Sequence, residues 1–118
     1  MLGGELLEEH FGPAVVVCPV APGGYVALAG RLAGSLTATV LADPQDPELD
    51  VLLPSLVAIA GRVVLNGVPT GVAVCDAMHH GGPWPATSNA RYTSVGTAAV
   101  ERFLRPVALQ GLPPRLLP

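Results

Sequence analysis

The chain has 118 residues, of which 50% are apolar and only 13% charged, with a net charge of −3. Ordinary soluble domains carry roughly 25% charged residues, so in a chain of single-domain length part of the surface is expected to meet another polypeptide rather than water; the plainer alternative is a small domain from an organism whose proteins are rich in Ala, Leu and Gly. Six basic residues with no patch and no interleaved aromatics argue against nucleic acid, the acidic beginning argues against a signal peptide, no apolar run approaches the roughly 18 residues of a membrane span, and two cysteines make no secreted disulfide framework, which leaves a cytoplasmic location as the expectation.

Ala14-Val15-Val16-Val17-Cys18 is a continuous apolar, β-branched run, the pattern of a strand covered on both faces, with Cys18 as a small buried hydrophobe. Pro22-Gly23-Gly24 breaks the chain. Residues 25–33 place Val26, Ala29, Leu32 and Ala33 at helical spacing, and Gly34 closes that helix in a left-handed conformation. Gly30 and Gly34 form a small-x-x-x-small pair suited to close packing or capping. Residues 35–41 alternate threonine with apolar side chains and read as a second strand. After the Asp43-Pro44 turn, Asp46 before Pro47 is a helix start, with a carboxylate to cap free amides and Pro at the first helical position. Leu49, Leu52, Leu53, Leu56, Val57 and Ala60 follow at helical spacing. Pro54 inside that pattern removes a backbone donor, which predicts a kink or two short helices. Gly61 ends the helix, and residues 63–65 form a third strand. The order strand, helix, strand, helix, strand, with long crossovers, predicts an α/β fold of right-handed, parallel βαβ units.

Asn66-Gly67 stops the third strand, because both residues tolerate positive φ. Residues 68–93 show no period and are interrupted by Pro69, Gly71, Gly81, Gly82, Pro83 and Pro85. So long an irregular stretch in a small chain is a functional loop or an interface. A short helix then places Val95, Ala99, Val100, Phe103 and Leu104 on one side, with Thr93 or Ser94 as its N-cap. Pro106 forbids continuation, so residues 105–109 read as extended, and the tail from Gly111 reads as an extended surface segment whose leucines dock on a partner.

The runs N-G-V-P-T-G-V from Asn66, H-G-G-P-W-P-A-T-S from His80 and T-S-V-G-T-A-A-V-E-R-F-L-R-P-V from Thr93 resemble the carboxy-terminal end of the aldehyde dehydrogenase superfamily. The branch they resemble most contains the 2,5-dioxopentanoate (2-oxoglutarate semialdehyde) dehydrogenases and NADP-linked relatives. Upstream, Glu9-His10-Phe11-Gly12-Pro13 is similar to the family's E-x-F-G-P motif. The resemblance runs from about Leu6 onward but corresponds to roughly the last quarter of a family enzyme. It implies three parts: 1–66, a parallel βαβαβ half of the catalytic domain; 67–93, a long substrate-side loop; and 94–118, a helix, an oligomerisation strand at 105–109 that pairs with a neighbouring subunit, and a tail.

The resemblance also implies site residues. Glu9 accepts hydrogen bonds from the nicotinamide ribose hydroxyls, as suits a carboxylate facing vicinal donors, and Phe11 packs near the nicotinamide; the structural alternatives are an acidic cap and a core phenylalanine. His80, where other branches carry the Phe of P-F-G-G, lines the aldehyde channel or is a solvent-exposed loop histidine. Arg91 binds a substrate carboxylate bidentately or is simply solvated. Trp84, held between Pro83 and Pro85, packs under the loop or at a subunit contact. Neither Cys18 nor Cys75 stands in the family's nucleophile motif, and neither has an activating neighbour in sequence. Asp76, His79 and His80 offer no chelating spacing, so no metal is expected.

The family's cofactor domain, nucleophile cysteine, general-base glutamate and oxyanion asparagine all precede the matching segment. Hence no catalytic residue is assigned to this chain, and the chain alone is expected to be inactive. Two functions follow. In the first, the chain is a truncated, C-terminal part of an enzyme that uses NAD or NADP to oxidise an aldehyde, such as 2,5-dioxopentanoate, to a carboxylate; its partners are the missing N-terminal portion and other subunits of a homo-oligomer. In the second, it is a noncatalytic oligomerisation module that docks on an intact aldehyde dehydrogenase.

Overall fold

A computed structural model describes Glu8 and residues 10–118. Glu9 lies outside the described residues. The regular elements, in order, are α1 (Tyr25–Ala29), β1 (Ser35–Val40), α2 (Glu48–Ile59) and β2 (Ala60–Leu65), then two 3-10 helices at Thr97–Phe103 and Pro114–Leu116. β1 and β2 form a two-stranded parallel sheet, with Ser35 opposite Ala60 and Val40 opposite Leu65. A parallel pair cannot be closed by a hairpin; here α2 is the crossover, and it packs on both strands and on α1.

α2 begins as its sequence requires. The Asp46 carboxylate accepts the Glu48 backbone N–H at 2.9 Å, and Glu48 and Asp50 place negative charge in the first turn, where free amides favour it. The Glu48 carboxylate also accepts the Gly23 N–H at 3.1 Å, which ties the start of α2 to the turn before α1. The helix runs through Pro54 as one element, so the expected division into two helices does not occur. One missing donor is tolerated because the neighbouring turns keep their own bonds. Gly61 is not the helix terminator: Ala60 is already extended and starts β2. α1 stops at Ala29, and its cap, Gly30, is right-handed. The expected left-handed closure at Gly34 is therefore replaced by an earlier, tighter end.

Asn66 pins the far end of the sheet. It holds φ at +52°, and its N–H reaches the Val40 carbonyl at 2.8 Å. Its side-chain amide pairs with both backbone groups of Ala42, accepting at 2.9 Å and donating at 2.7 Å. The expected stop at Asn66-Gly67 is thus real, and Asn66 is the residue that takes positive φ.

One expected strand does not form, and the last helix takes a different shape. Residues 14–18 form no strand, and Val15, Val17 and Cys18 are exposed rather than buried. A strand needs a ladder partner, and this segment finds none among the described residues. Residues 105–109 are exposed and stand outside the sheet. The helix expected from Ser94 is a 3-10 helix capped by Gly96, not by Thr93 or Ser94, and Val100, Phe103 and Leu104 stay exposed. The tail is not wholly extended, because Pro114–Leu116 makes a 3-10 turn.

Among the described residues the buried apolar core is correspondingly thin: Ala29, Leu52 and Ala60. Val51, Leu53 and Val57 of α2 face solvent, and an open groove of about 390 Å³ separates α1 from α2 and β1, lined by Tyr25, Leu28, Leu32 and Leu49 among others. The accessible surface is 9135 Å², against about 6,000 Å² for a compact monomer of this mass. The radius of gyration is 19.5 Å, against roughly 13.5 Å for a compact domain of this length.

Replacing Asn66 by Gly keeps the backbone conformation and removes only the side-chain pairing with Ala42. Asn66→Gly is expected to cost about 1 kcal/mol in urea unfolding, whereas Asn66→Val, which adds a branched side chain at positive φ, is expected to cost more.

Candidate functional site

The long irregular stretch expected between Asn66 and the last helix carries no helix or strand from residue 66 to 96. It is nevertheless held to the sheet by backbone packing. Gly81 and Gly82 are both buried. The Gly81 carbonyl lies where a Cβ on Gly61 would stand, and a Cβ on Gly82 would come within 2.6 Å of the Ser35 carbonyl. The loop therefore crosses the first residues of β1 and β2 at a distance only glycine permits. That is the physical use of the His80-Gly81-Gly82 run.

Thr93 fixes the next turn. It is 4% exposed, the one buried polar side chain among the described residues. Its hydroxyl oxygen accepts the His80 N–H at 2.8 Å and the Val95 N–H at 3.3 Å, and the hydroxyl donates to the Val95 carbonyl at 2.7 Å. The His80 carbonyl in turn accepts the backbone N–H and the hydroxyl of Ser94, each at 3.0 Å. His80 is thus held through its backbone on both sides, and its imidazole is half-buried with an Nδ1 atom that is buried and unpartnered. A Thr97 hydroxyl bond to the Asp76 carboxylate joins the same turn to the earlier part of the loop.

His80 lines a cavity of about 230 Å³ with Leu36, Tyr92, Ser94 and Arg102, and with residues 86–89. Arg91 does not line it: its side chain is exposed, and its backbone N–H donates to the side-chain Oδ1 of Asn89 at 3.0 Å. Of the two residues expected at the substrate side, the structure places His80 at a cavity and Arg91 outside it. Phe11 is 96% exposed, so it is not the core phenylalanine of the structural alternative. Trp84 is 79% exposed, which corrects the expectation that it packs beneath the loop. Both cysteines are exposed free thiols. Among the described residues no three His, Cys, Asp or Glu side chains gather where they could hold a metal ion, and no helix is long and apolar enough to cross a membrane.

Arg62 is a second anchor that periodicity did not single out. It lies within β2, opposite Thr37. Its guanidinium donates to the Gly71 carbonyl at 2.8 Å and to the Pro69 carbonyl, which draws the first part of the loop against the strand; Nε is buried without a partner. The available signal was a charge inside an otherwise apolar strand. Arg102 was missed because it sits next to Glu101 in a segment read only for its apolar stripe.

Along 117 residues, 97% of its length, the chain is 54% identical to the alpha-ketoglutaric semialdehyde dehydrogenase of Acinetobacter baylyi. The resemblance to aldehyde dehydrogenases is a finding. Alpha-ketoglutaric semialdehyde dehydrogenase 2 of Azospirillum brasilense is likewise 54% identical over 113 residues, 94% of this chain. The chain spans about a fifth of the length of these relatives, 22% of each, as a carboxy-terminal segment of an aldehyde dehydrogenase would. No protein-family model matches the chain.

Two substitutions test how the loop is held. Thr93→Val keeps the shape of the side chain and strands the N–H of His80; it is expected to cost about 1–3 kcal/mol in chemical unfolding. Gly61→Ala forces the Gly81 carbonyl off the strand. In that variant hydrogen exchange at the Ser94 amide is expected to accelerate by at least tenfold, while exchange at the Asn66 amide, at the other end of the sheet, changes far less.

Proposed function

We propose that the chain is the carboxy-terminal part of an NAD- or NADP-dependent aldehyde dehydrogenase that oxidises a short semialdehyde acid, of the alpha-ketoglutaric semialdehyde kind, to the dicarboxylate. The observation that carries this reading is 54% identity along almost the whole chain to two semialdehyde dehydrogenases of which it spans about a fifth. In that enzyme the chemistry is thiolate attack on the aldehyde and hydride transfer to the nicotinamide. The thiolate and the cofactor domain come from the part this chain does not span. Glu9 and Phe11 stand at the cofactor, on the strength of the E-x-F-G-P resemblance. The 67–93 loop, carrying His80, forms a wall of the aldehyde site. Residues 105–109 serve as an assembly strand between subunits.

The exposed apolar surface supports a second reading, in which the chain docks on an intact aldehyde dehydrogenase without contributing to catalysis. Val15, Val17, Leu53 and Val57 are all more than half exposed. Burial of such a surface against another polypeptide is strongly favourable, at roughly 25 cal/mol per Å² of apolar area, whether that polypeptide is covalently continuous or separate.

The 118-residue chain, incubated with 2-oxoglutarate semialdehyde and either NAD or NADP, is expected to produce no reduced nicotinamide above background. Joined in frame behind the preceding four-fifths of the Acinetobacter relative, it is expected to support NAD(P)-linked oxidation, and Glu9→Gln in that fusion is expected to raise the KM for cofactor by about tenfold, as loss of a charged hydrogen bond implies. An inactive but folded fusion, together with stable binding of the separate chain to the intact enzyme, would establish the docking reading instead.

A further inference from the structure

Asn66 does its structural work with a chemically labile group. Its Oδ1 accepts the Ala42 N–H at 2.9 Å and its Nδ2 donates to the Ala42 carbonyl at 2.7 Å, so a primary amide closes the carboxyl end of the sheet. The next residue is Gly67. Asparagine before glycine is the setting most open to intramolecular cyclisation, because glycine has no Cβ to shield its backbone nitrogen from the side-chain carbonyl carbon. Asn66 is exposed, and residues 66–96 lie in no helix or strand, so water has access to the amide and the chain beyond it is not held by a ladder. The chain's other asparagine, Asn89, is exposed as well. It differs on the decisive point, since it precedes Ala90, whose Cβ crowds the same approach.

We infer that Asn66 is a site of spontaneous deamidation, gated by opening of this end of the sheet. The Gly67 backbone nitrogen gives up its proton to solvent and attacks Cγ of Asn66. A bond from Cγ to that nitrogen forms, the Cγ–Nδ2 bond breaks, and Nδ2 takes a proton from water and leaves as ammonia. The five-membered succinimide then takes up one water molecule and opens at either carbonyl, leaving an aspartate or an isoaspartate at the position. Water is the only co-reactant, and nothing is oxidised or reduced. In the closed sheet Ala42 tethers both polar atoms of the amide, and Cγ must swing toward the Gly67 nitrogen before it can react. The reaction is therefore drawn from the locally opened state. It is also one-way. In aspartate an oxygen stands where Nδ2 donated, and it meets the Ala42 carbonyl acceptor to acceptor. In isoaspartate the main chain is longer by one methylene, which displaces the Asn66 N–H from the Val40 carbonyl it reaches at 2.8 Å. Either product unties the start of the long loop from the end of β1. This chemistry is independent of the dehydrogenase reading above.

The 118-residue chain is aged in mildly alkaline buffer, folded and in urea, and digested with trypsin; Arg62 and Arg91 bound a single peptide, 63–91, that contains both asparagines. Electron-transfer fragmentation assigns the converted position and separates aspartate from isoaspartate. In urea, conversion at Asn66 is expected to outpace Asn89 by at least tenfold, with isoaspartate the larger product. In the folded chain, conversion at Asn66 is expected to slow at least tenfold, as an opening equilibrium costing about 1.4 kcal/mol or more requires. Asn66 reacting no faster than Asn89 in urea would overturn the site, and equal rates in folded and unfolded chain would overturn the gating. Asn66→Asp, which installs one product directly, reads the consequence by hydrogen exchange. The amide of residue 66 is expected to lose protection at least tenfold while the Ser94 amide, at the other end of the sheet, changes far less. Unchanged protection at residue 66, or equal losses at both amides, would overturn the claim that the modification unties this end of the sheet.

Discussion

The parallel pairing of β1 with β2 is the constraint on which the rest of the chain hangs. Parallel strands cannot be joined by a tight turn, so the connection must travel the length of the sheet, and α2 makes that crossing. Once the pair exists, its two ends are secured differently. At the carboxyl ends of the strands Asn66 reads the backbone of Ala42 with its side-chain amide. At the amino ends the glycine backbone of residues 81–82 lies directly on Gly61 and Ser35. The loop that carries His80 is thereby positioned by close packing, which yields little to thermal motion because any displacement must separate van der Waals surfaces already in contact.

A two-stranded parallel sheet is an incomplete object. Such sheets are normally covered on both faces, and here a single layer of short helices leaves most large apolar side chains in water. The excess of about 3,000 Å² over a compact monomer is comparable to the surface a protein commits to a permanent interface. Low charge and a thin core go together with this large exposed apolar surface. The chain matches about a fifth of the length of two much longer dehydrogenases.

Within the loop, the polar network has a clear hierarchy. Thr93 is buried and satisfies three backbone contacts, so it acts on structure. Arg62 clamps the 69–71 segment through carbonyl oxygens and does the same. His80 is held through its backbone on both sides, and its Nδ1, like Nε of Arg62, is a buried nitrogen without a partner among the described residues.

Local signals carried the sequence reading well where the structure depends on neighbours in the chain. The Asp46 cap, the second and third strands, the turn at Asn66 and the absence of regular structure through the glycine- and proline-rich loop all follow from short-range sterics and hydrogen bonding. The E-x-F-G-P, H-G-G-P and R-F-L-R-P runs further carried the likeness to aldehyde dehydrogenases. What failed was everything that needs a distant partner. The valine run at 15–17 has the composition of a buried strand, yet a strand exists only where another backbone supplies its hydrogen bonds. Tertiary structure alone decided that Gly61 serves a crossing carbonyl rather than a helix end, that Trp84 points to solvent, and that Arg102 rather than Arg91 shares a cavity with His80. Those outcomes turn on which segments of chain come within a few ångströms of one another, and spacing along a sequence does not encode that distance.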